Sequence, residues 1–280
     1  MTRFTNNLKT TIFLAALFAL VLGLGSLIGG RQGLIIAFVI GGAMNVIAFF
    51  FSDKIALASM RAQEVDAKSA PDLHTMVSRL AQNAGLPMPR VYICPQDAPN
   101  AFATGRSPKN AAVAVTRGAL KLLSYDELEG VMAHELAHVK NRDTLISCIA
   151  ATVAGAISFL GHWAFMFGGG NRREGGNVIA MIAMMILAPI AAAMIQMAIS
   201  RSREFVADHD GAEIAGTPLG LVSALRKLDA VSRRVPMENE MPAQNHMFIV
   251  QPFSGESMAR MFSTHPATEK RIEKLMAMVK

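Results

Sequence analysis

The amino-acid sequence predicts a mainly α-helical membrane protein with a small β-sheet. Of its 280 residues, 52% are hydrophobic and 17% are charged, whereas soluble globular domains carry about 25% charged residues. The deficit is concentrated in four windows that contain no Asp, Glu, Lys or Arg: Thr10–Gly30, Gln32–Ser52, Thr144–Asn171 and Gly175–Ser200. Each window is long enough to cross a hydrocarbon core of about 30 Å as a helix. The fold class therefore includes four transmembrane helices.

The windows divide the chain into four parts. Residues 1–52 form a predicted transmembrane hairpin, and residues 144–200 form a second hairpin, which either spans the membrane or enters it only in part. Residues 53–143 and 201–280 form the two halves of a water-exposed domain. The basic N-terminus followed by an apolar run also resembles a signal peptide. However, the run Thr11–Gly29 is longer than the 7–15 residues of a typical signal-peptide core, and a second run follows at once. A hairpin explains both runs better.

The distribution of basic residues predicts where the two polar halves lie. Four crossings return the chain to its starting side, so both halves share one compartment with the N-terminus. They hold most of the Lys and Arg residues of a chain with a net charge of +6, which favours the cytoplasm. Arg31, Arg172 and Arg173, partly offset by Glu174, lie in the short outer loops and run against this trend. The predicted location is therefore a bacterial inner membrane, with several crossings and the polar halves in the cytoplasm.

Composition also excludes some classes of protein. Two cysteines, Cys94 and Cys148, are too few for a disulfide-stabilised secreted module. No stripe of basic and aromatic residues indicates nucleic-acid binding. The oligomeric state leaves no trace in the sequence.

The polar halves contain recognisable elements. Leu73, Met76, Val77 and Leu80 give Pro71–Ala84 an amphipathic helical pattern. A capping box at Ser124 and Glu127 predicts a strong helix from Tyr125 to about Asp143. The remaining predictions are strands at Val91–Cys94, Ala101–Thr104 and Ala111–Thr116, helices at Gly118–Leu123, Ser200–Asp208, Pro218–Val231 and Thr268–Val279, and a long loop at Arg233–Ser257. Whether that loop acts as a lid is left open.

The pattern His134-Glu-Leu-Ala-His138 lies inside the capped helix. Residues four apart on a helix point the same way, so His134 and His138 can bind one tetrahedral zinc ion through ring nitrogens at about 2.0–2.1 Å. Glu135 lies beside that position, where it can take a proton from water and later pass one to a leaving amine. The pattern indicates metal-assisted hydrolysis.

A hydrolytic zinc site needs a third protein ligand and one open position. A histidine six residues after His138 would complete a metzincin site, but Thr144 stands there. Glu204 and Asp208 form another pair four residues apart. We interpret Glu204 as the third ligand and Asp208 as the carboxylate that orients a ligand imidazole. Two alternatives stay open: His209 is the third ligand, or the acidic pair only forms salt bridges with Arg201 and Arg203.

Five features together resemble the HtpX family of bacterial heat-shock membrane metalloproteases, within the superfamily that includes the CAAX prenyl endopeptidases. They are the N-terminal hairpin, Asn100–Gly105, His134–His138 followed by Asn141-Arg-Asp143, Glu204–Asp208, and Thr264-His-Pro266. The resemblance implies a gluzincin-like fold and one zinc ion per chain, held by His134, His138 and Glu204. It also implies Glu135 as general base, Asp208 behind the ligands, and cleavage of damaged membrane proteins on the cytoplasmic side.

Two further assignments concern the peptide substrate. Asn100–Gly105, which includes Phe102, is predicted as an edge strand whose unpaired backbone groups can bind an extended peptide, and the resemblance implies the same use. The alternative is an ordinary strand and turn. His265 can donate a hydrogen bond to the developing oxyanion, or it is only a loop histidine.

The expected partners are unfolded or misassembled membrane proteins and the lipid bilayer. One alternative function is a CAAX-type prenyl-peptide endopeptidase, although that family is usually larger and has more membrane segments. Another is a non-catalytic membrane chaperone with a structural zinc. Structural zinc sites usually close all four positions with Cys or His, which the visible residues do not do. A transporter is disfavoured because no charge-free window holds a residue to carry a coupling ion.

Overall fold

A computed structural model of the chain describes residues 51–147, 149–150, 178–232 and 266–279, with scattered positions between 8 and 50. The chain separates into two compact units. One comprises Met1–Phe50 and Ile146–Ser202, and the other comprises Phe51–Leu145 and Arg203–Lys280. The second unit contains the sheet and all the candidate site residues described below.

The second unit is built from helices around one sheet. In chain order, its helices and strands are α1 (Ser52–Ser59), β1 (Gln63–Val65), α2 (Pro71–Ala84), β2 (Arg90–Cys94), β3 (Ala101–Thr104), a 3₁₀ turn (Pro108–Asn110), β4 (Ala112–Thr116), α3 (Arg117–Leu122), α4 (Tyr125–Asn141), the C-terminal part of α5 (Val178–Ala215), α6 (Leu219–Ser232) and α7 (Thr268–Met276). Helices dominate, as the sequence predicts, and the sheet is small.

The four strands form a mixed sheet in the order β1-β2-β4-β3. Strand β1 pairs antiparallel with β2, β2 pairs parallel with β4, and β3 pairs antiparallel with β4. Strand β3 is thus at one end of the order. Among the described residues, no other strand pairs with its outer edge.

The sheet separates two apolar clusters, because alternate residues of a strand point to opposite faces. On one face, Val113 and Val115 join the main core with α2, α4, α5 and α6. On the other face, Tyr92, Phe102 and Ala114 pack with residues of α1. Helix α4 therefore lies on the main-core side of the sheet, where its motif residues are buried.

Most elements predicted within the described residues are confirmed to within a few positions. The capping box is present in full: Ser124 accepts a hydrogen bond from the Glu127 amide, and Glu127 accepts one from the Ser124 amide. Helix α1 and strand β1 were not predicted. Five predicted features lie wholly or mostly outside the described residues: most of the N-terminal hairpin, most of the third window, Cys148, the loop Arg233–Ser257 and His265.

The four transmembrane helices stay a prediction. In the part of the chain that the structure describes, no helix has the length and apolar character of a membrane span.

Candidate metal centre

Helix α4 presents both histidines of the motif from a buried surface. His134 is 2% exposed and Glu135 is 7% exposed, while His138 is half-buried. The helix is held at its start by the capping box and packs against α2, α6 and β3. The backbone that carries the two imidazoles is therefore fixed from several sides.

Helix α5 brings Glu204 to the two imidazoles. The Nε2 atoms of His134 and His138 lie 3.2 Å apart. Glu204 Oε1 lies 3.4 Å from His138 Nε2, and Glu204 Oε2 lies 3.7 Å from His134 Nε2. Ligand atoms at 2.0–2.1 Å from a tetrahedral zinc ion stand about 3.3–3.4 Å apart. The three side chains are therefore spaced as zinc ligands would be, and together they could hold a metal ion.

The protonation of the two rings supports this fit. His134 Nδ1 lies 3.1 Å from Asp208 Oδ1, and His138 Nδ1 lies 2.7 Å from Asp143 Oδ2. A carboxylate only accepts hydrogen bonds, so Asp143, which is hydrogen-bonded to His138, places a proton on Nδ1 of that ring. The Asp208 oxygen favours the same tautomer of His134, and the neutral form of each ring then has its lone pair on Nε2. Two lone pairs and the Glu204 carboxylate then face one another at a buried point, which suits a divalent cation.

Asp208 lies behind His134 and is itself held by an arginine from the C-terminal helix. The Arg271 guanidinium donates from Nε and Nη2 to the two oxygens of Asp208, at 2.9 and 2.7 Å. Its Nη1 lies 3.4 Å from Glu204 Oε2. Burial raises the pKa of Asp208, but the charge of Arg271 and the hydrogen bond with His134 outweigh burial and lower it. Asp208 therefore stays ionised beside its histidine.

Asp143 contacts the Nδ1 atom of His138, as Asp208 contacts that of His134. Arg142 ends helix α4 in the left-handed conformation, with φ of 55°, and this turn directs Asp143 back to the His138 ring. Arg203, also buried, donates to Asp143 Oδ1. Burial lowers the pKa of His138, but Asp143 and Glu204 outweigh burial and raise it well above its ordinary value. The two carboxylates beside the ring therefore favour a positive charge at this position, which either a proton or a bound cation can supply.

No role was predicted for Asp143 or Arg271, and Arg203 was considered only as a salt-bridge partner of the acidic pair Glu204 and Asp208. The partners in the pairs Asp143–Arg203 and Asp208–Arg271 are 60 and 63 residues apart in the chain, so no local sequence pattern predicts these pairs. The sequence offered only a weak indication of these residues. Asp143 and Arg203 lie next to charge-free windows, Arg271 lies in the last predicted helix, and the structure buries all three.

Glu135 points from α4 to strand β3. Its Oε2 accepts a hydrogen bond of 2.8 Å from the backbone N–H of Ala103. The candidate base thus lies at the open edge of the sheet, one residue along the helix from the candidate ligand His134. A peptide at that edge and the base would be close neighbours.

The structure places the other predicted residues as follows. Asn100 is fully buried, and its backbone N–H donates to Thr116 Oγ1 at 2.8 Å. The Phe102 side chain is 4% exposed and belongs to the apolar cluster near α1. The side chain of His209 is about half exposed and lies near Asp210 and Glu213. His265 lies outside the described residues.

Comparison with known proteins identifies the family of this chain and several relatives. Peptidase family M48 matches residues 67–279. The Protease HtpX homolog of Methylibium petroleiphilum is 55% identical over 277 residues, which is 98% of each chain. The Protease HtpX homolog of Pyrococcus furiosus is 54% identical over 271 residues, covering 95% of this chain and 94% of that protein.

One solved structure has a fold similar to that of this chain. The crystal structure of S. mikatae Ste24p is similar to this chain with a TM-score of 0.55 and 16% sequence identity, covering 97% of this chain and 66% of Ste24p. At that identity the likeness concerns the fold alone.

The chain belongs to peptidase family M48. It is a membrane metalloprotease, and zinc is its metal. The resemblance to the HtpX family that the sequence motifs indicate is confirmed.

Proposed function

We propose that this chain is a multi-pass zinc endopeptidase that cleaves misfolded or damaged membrane proteins on the cytoplasmic side of a bacterial inner membrane. The observation that carries the proposal is the position of Glu135. It lies next to the buried group of His134, His138 and Glu204, and it contacts the open edge of strand β3. A metal, a base and a surface for an extended peptide thus come together.

His134, His138 and Glu204 are the ligands of one zinc ion in this proposal. Bound zinc supplies a Lewis acid for the scissile carbonyl and makes a water molecule easier to deprotonate. Asp208 and Asp143 lie close to the Nδ1 atoms of His134 and His138, and would keep both Nε2 atoms directed to a bound metal. Three ligands leave a coordination position open, as in hydrolytic zinc sites.

Glu135 is the general base. Its carboxylate takes a proton from the attacking water as oxygen adds to the scissile carbonyl, and it then delivers a proton to the leaving amine. Its burial, at 7% exposed, restricts bulk water around the proton transfer. His265 is the proposed donor to the oxyanion that forms during the attack.

Strand β3 is the proposed binding surface for the substrate backbone. A peptide in extended conformation pairs with the outer edge of β3 by main-chain hydrogen bonds. The side chains of Asn100 and Phe102 are buried, so we assign their part in substrate binding to the strand backbone that they position. Such pairing selects extended, unfolded segments and depends little on the amino-acid sequence of the substrate.

The membrane topology follows from the four charge-free windows and the basic polar halves. Both halves, and with them the zinc site, are proposed to face the cytoplasm. Reporter fusions at the C-terminus check this placement: a cytoplasmic reporter signal is expected, and an extracytoplasmic signal would reverse the orientation.

Glu135→Gln tests the proposed chemistry. The purified variant in detergent is expected to keep one zinc ion per chain while cleavage of casein falls roughly 10²–10⁴-fold. Glu129→Gln is the matched control, because Glu129 lies on the same helix and pairs with the half-exposed Arg79. Its cleavage rate should stay near that of the wild type. Normal turnover by Glu135→Gln would remove Glu135 from the mechanism.

Glu204→Ala tests the ligand assignment. This variant should lose zinc and activity together, whereas Glu213→Ala, an exposed change on the same helix, should keep both. Stoichiometric zinc in Glu204→Ala, measured by metal analysis, would show that another group completes the site.

A prenyl-peptide endopeptidase remains the second candidate, because the motifs of this chain also resemble the superfamily that includes the CAAX prenyl endopeptidases. A short peptide with a prenylated C-terminal cysteine, compared with its unprenylated form, separates the two. The main proposal expects equal cleavage of both peptides and efficient cleavage of casein. Cleavage of the prenylated peptide alone would favour the second candidate.

A further inference from the structure

One backbone N–H group of strand β3, that of Ala103, can donate its hydrogen bond either to Glu135 or to a substrate peptide. The Asn100 carbonyl accepts a hydrogen bond from the Thr116 amide, at 2.9 Å, so this residue faces β4. Backbone groups alternate in direction along a strand. Ala101 and Ala103 therefore direct their N–H and C=O groups to the outer edge, in agreement with the bond from Ala103 to Glu135.

The Glu135 carboxylate occupies the outer edge at the point where a peptide would pair. An extended peptide aligned along β3 can exchange hydrogen bonds with the outward groups of Ala101 and Ala103. The Ala103 N–H has one proton to donate and already donates it to Glu135 Oε2 at 2.8 Å. A peptide carbonyl can use this N–H only if the Glu135 carboxylate gives it up.

We propose that the Ala103 N–H is a latch for Glu135, which a peptide strand opens by taking over the hydrogen bond. Without substrate, the latch holds the carboxylate against β3. When an extended peptide pairs with the edge, its carbonyl replaces Glu135 as the acceptor, and the carboxylate turns to the attacking water. Ala103 is thus a positioning residue that couples occupation of the edge to release of the base.

This inference rests on the proposed function, and it also predicts how removal of the Glu135 carboxylate changes the affinity for a peptide. If Glu135 competes with the peptide for one donor, removing the carboxylate should strengthen peptide binding. A hydrogen bond of this kind corresponds to about a two- to tenfold change in affinity. The gain should require the Ala103 N–H, because without that donor there is nothing to compete for.

Proline at position 103 removes this donor with little change to the sheet. The Ala103 N–H takes no part in the β3–β4 ladder, and proline is tolerated in edge strands where the N–H faces outward. Ala101→Pro is the matched control. It deletes the other outward N–H of the same strand, which is not bonded to Glu135.

The experiment is a double-mutant cycle on the full-length, zinc-loaded protein in detergent. The probe is fluorescein-labelled casein, and binding is read as the anisotropy change on stopped-flow mixing, before the first bond is cut. Glu135→Ala should bind casein about two- to tenfold more tightly than the wild type. The gain should vanish in the Ala103→Pro background and persist in the Ala101→Pro background. Any general effect of removing a negative charge is present in every background and cancels.

Hydrogen exchange gives a second readout that needs no proline. In the wild type without casein, the Ala103 amide should exchange slowly, and Glu135→Ala should accelerate its exchange. Casein should restore the protection in Glu135→Ala. Equal exchange in both proteins, or an equal affinity gain in the Ala103→Pro background, would overturn the latch. Cleavage by Glu135→Gln would instead contradict the proposed function, so the two failures are distinguishable.

Discussion

The guanidinium of Arg271 binds both carboxylate oxygens of Asp208, at 2.9 and 2.7 Å. This bidentate pair joins the C-terminal helix α7 to helix α5 directly behind His134. Arg271 is 1% exposed, and its Nη1 also lies 3.4 Å from Glu204 Oε2. Burial lowers the pKa of Arg271, but the charges of Asp208 and Glu204 outweigh burial and raise it. Arg271 is thus a permanent cation in the wall of the candidate metal centre.

Replacing Arg271 by Gln should weaken both the fold and the zinc site. Asp208 would remain buried without its cation, and breaking a buried ion pair in this way costs about 3–5 kcal/mol. Arg271 also fixes the position of Asp208 behind His134, and mutation of groups that orient a ligand imidazole typically lowers metal affinity roughly 10–100-fold. Thermal unfolding and chelator competition measure the two effects. Lys270→Gln, an exposed change on the same helix, is the control and should change neither.

Arg271→Lys separates charge from geometry. Lysine restores the positive charge but cannot form the two parallel hydrogen bonds of a guanidinium. Its zinc affinity should therefore lie between those of Arg271→Gln and the wild type. If Arg271→Gln itself bound zinc as tightly as the wild type, Arg271 would have no part in the site.

Asp143→Asn should lower zinc affinity by roughly 10–100-fold. Asp143 accepts the Nδ1 proton of His138 and is itself held by Arg203. An asparagine can present its NH₂ group to the ring and so disturb both the tautomer and the ring orientation. Chelator competition measures the affinity. Asp97→Asn is the control, because Asp97 is largely exposed and pairs with Lys121 at the surface. Unchanged affinity in Asp143→Asn would mean that the helix backbone alone orients His138.

Local patterns in the sequence predicted those parts of the fold that depend on neighbouring residues. The capping box at Ser124 and Glu127 predicted the start of α4, which the structure confirms. The spacing of His134 and His138 placed both imidazoles on one face, and their Nε2 atoms lie 3.2 Å apart. Both signals act within one or two helical turns, where the geometry of the backbone is known in advance.

Features that depend on packing could not be predicted in this way. Strand β1 has only three residues and two of them are exposed, so it shows no alternating pattern. Glu204 is the third ligand in our interpretation of the sequence, with His209 as the alternative, but only the fold decides which side chain reaches the histidines. No local sequence pattern pairs Arg203 with Asp143 or Arg271 with Asp208, and the tertiary structure buries both arginines.

The Glu127 carboxylate should make the fold sensitive to acid. It accepts hydrogen bonds from Lys227 Nζ at 2.7 Å and Ser223 Oγ at 2.6 Å, in addition to the Ser124 amide. Burial raises the pKa of Glu127, but these bonds and the charge of Lys227 outweigh burial and lower it to about 2 from an ordinary value of 4.5. A carboxyl whose pKa is lower in the folded than in the unfolded protein stabilises the fold at pH values above its unfolded-state pKa. This stabilisation is lost as the pH falls to the folded-state pKa.

Glu127→Gln should therefore destabilise the protein by about 2–3 kcal/mol at neutral pH, after allowance for the half-exposed Lys227. The difference from the wild type should shrink as pH falls from about 4.5 to about 2. Urea unfolding at a series of pH values measures it. Glu129→Gln breaks only a surface pair with Arg79 and should cost less than about 1 kcal/mol. A difference independent of pH would show that ionised Glu127 contributes nothing.

Helices α4 and α5 approach each other closely at Gly211 and His134. A Cβ atom on Gly211 would lie 2.8 Å from His134 Cα and 2.9 Å from His134 N, which is closer than carbon atoms normally pack. Gly211→Ala should therefore force the two helices apart. In an exposed helix this substitution would stabilise by about 1 kcal/mol, but overpacking of a tight contact costs about 1–3 kcal/mol. The steric cost should win.

The same separation should reach the metal centre, since α5 carries Glu204 and α4 carries both histidines. Gly211→Ala should lower the midpoint of thermal unfolding and also weaken zinc binding in chelator competition. Glu213→Ala changes an exposed residue of the same helix and should affect neither measurement. A higher unfolding midpoint with unchanged zinc affinity would show that the two helices can adjust at this contact without moving the ligands.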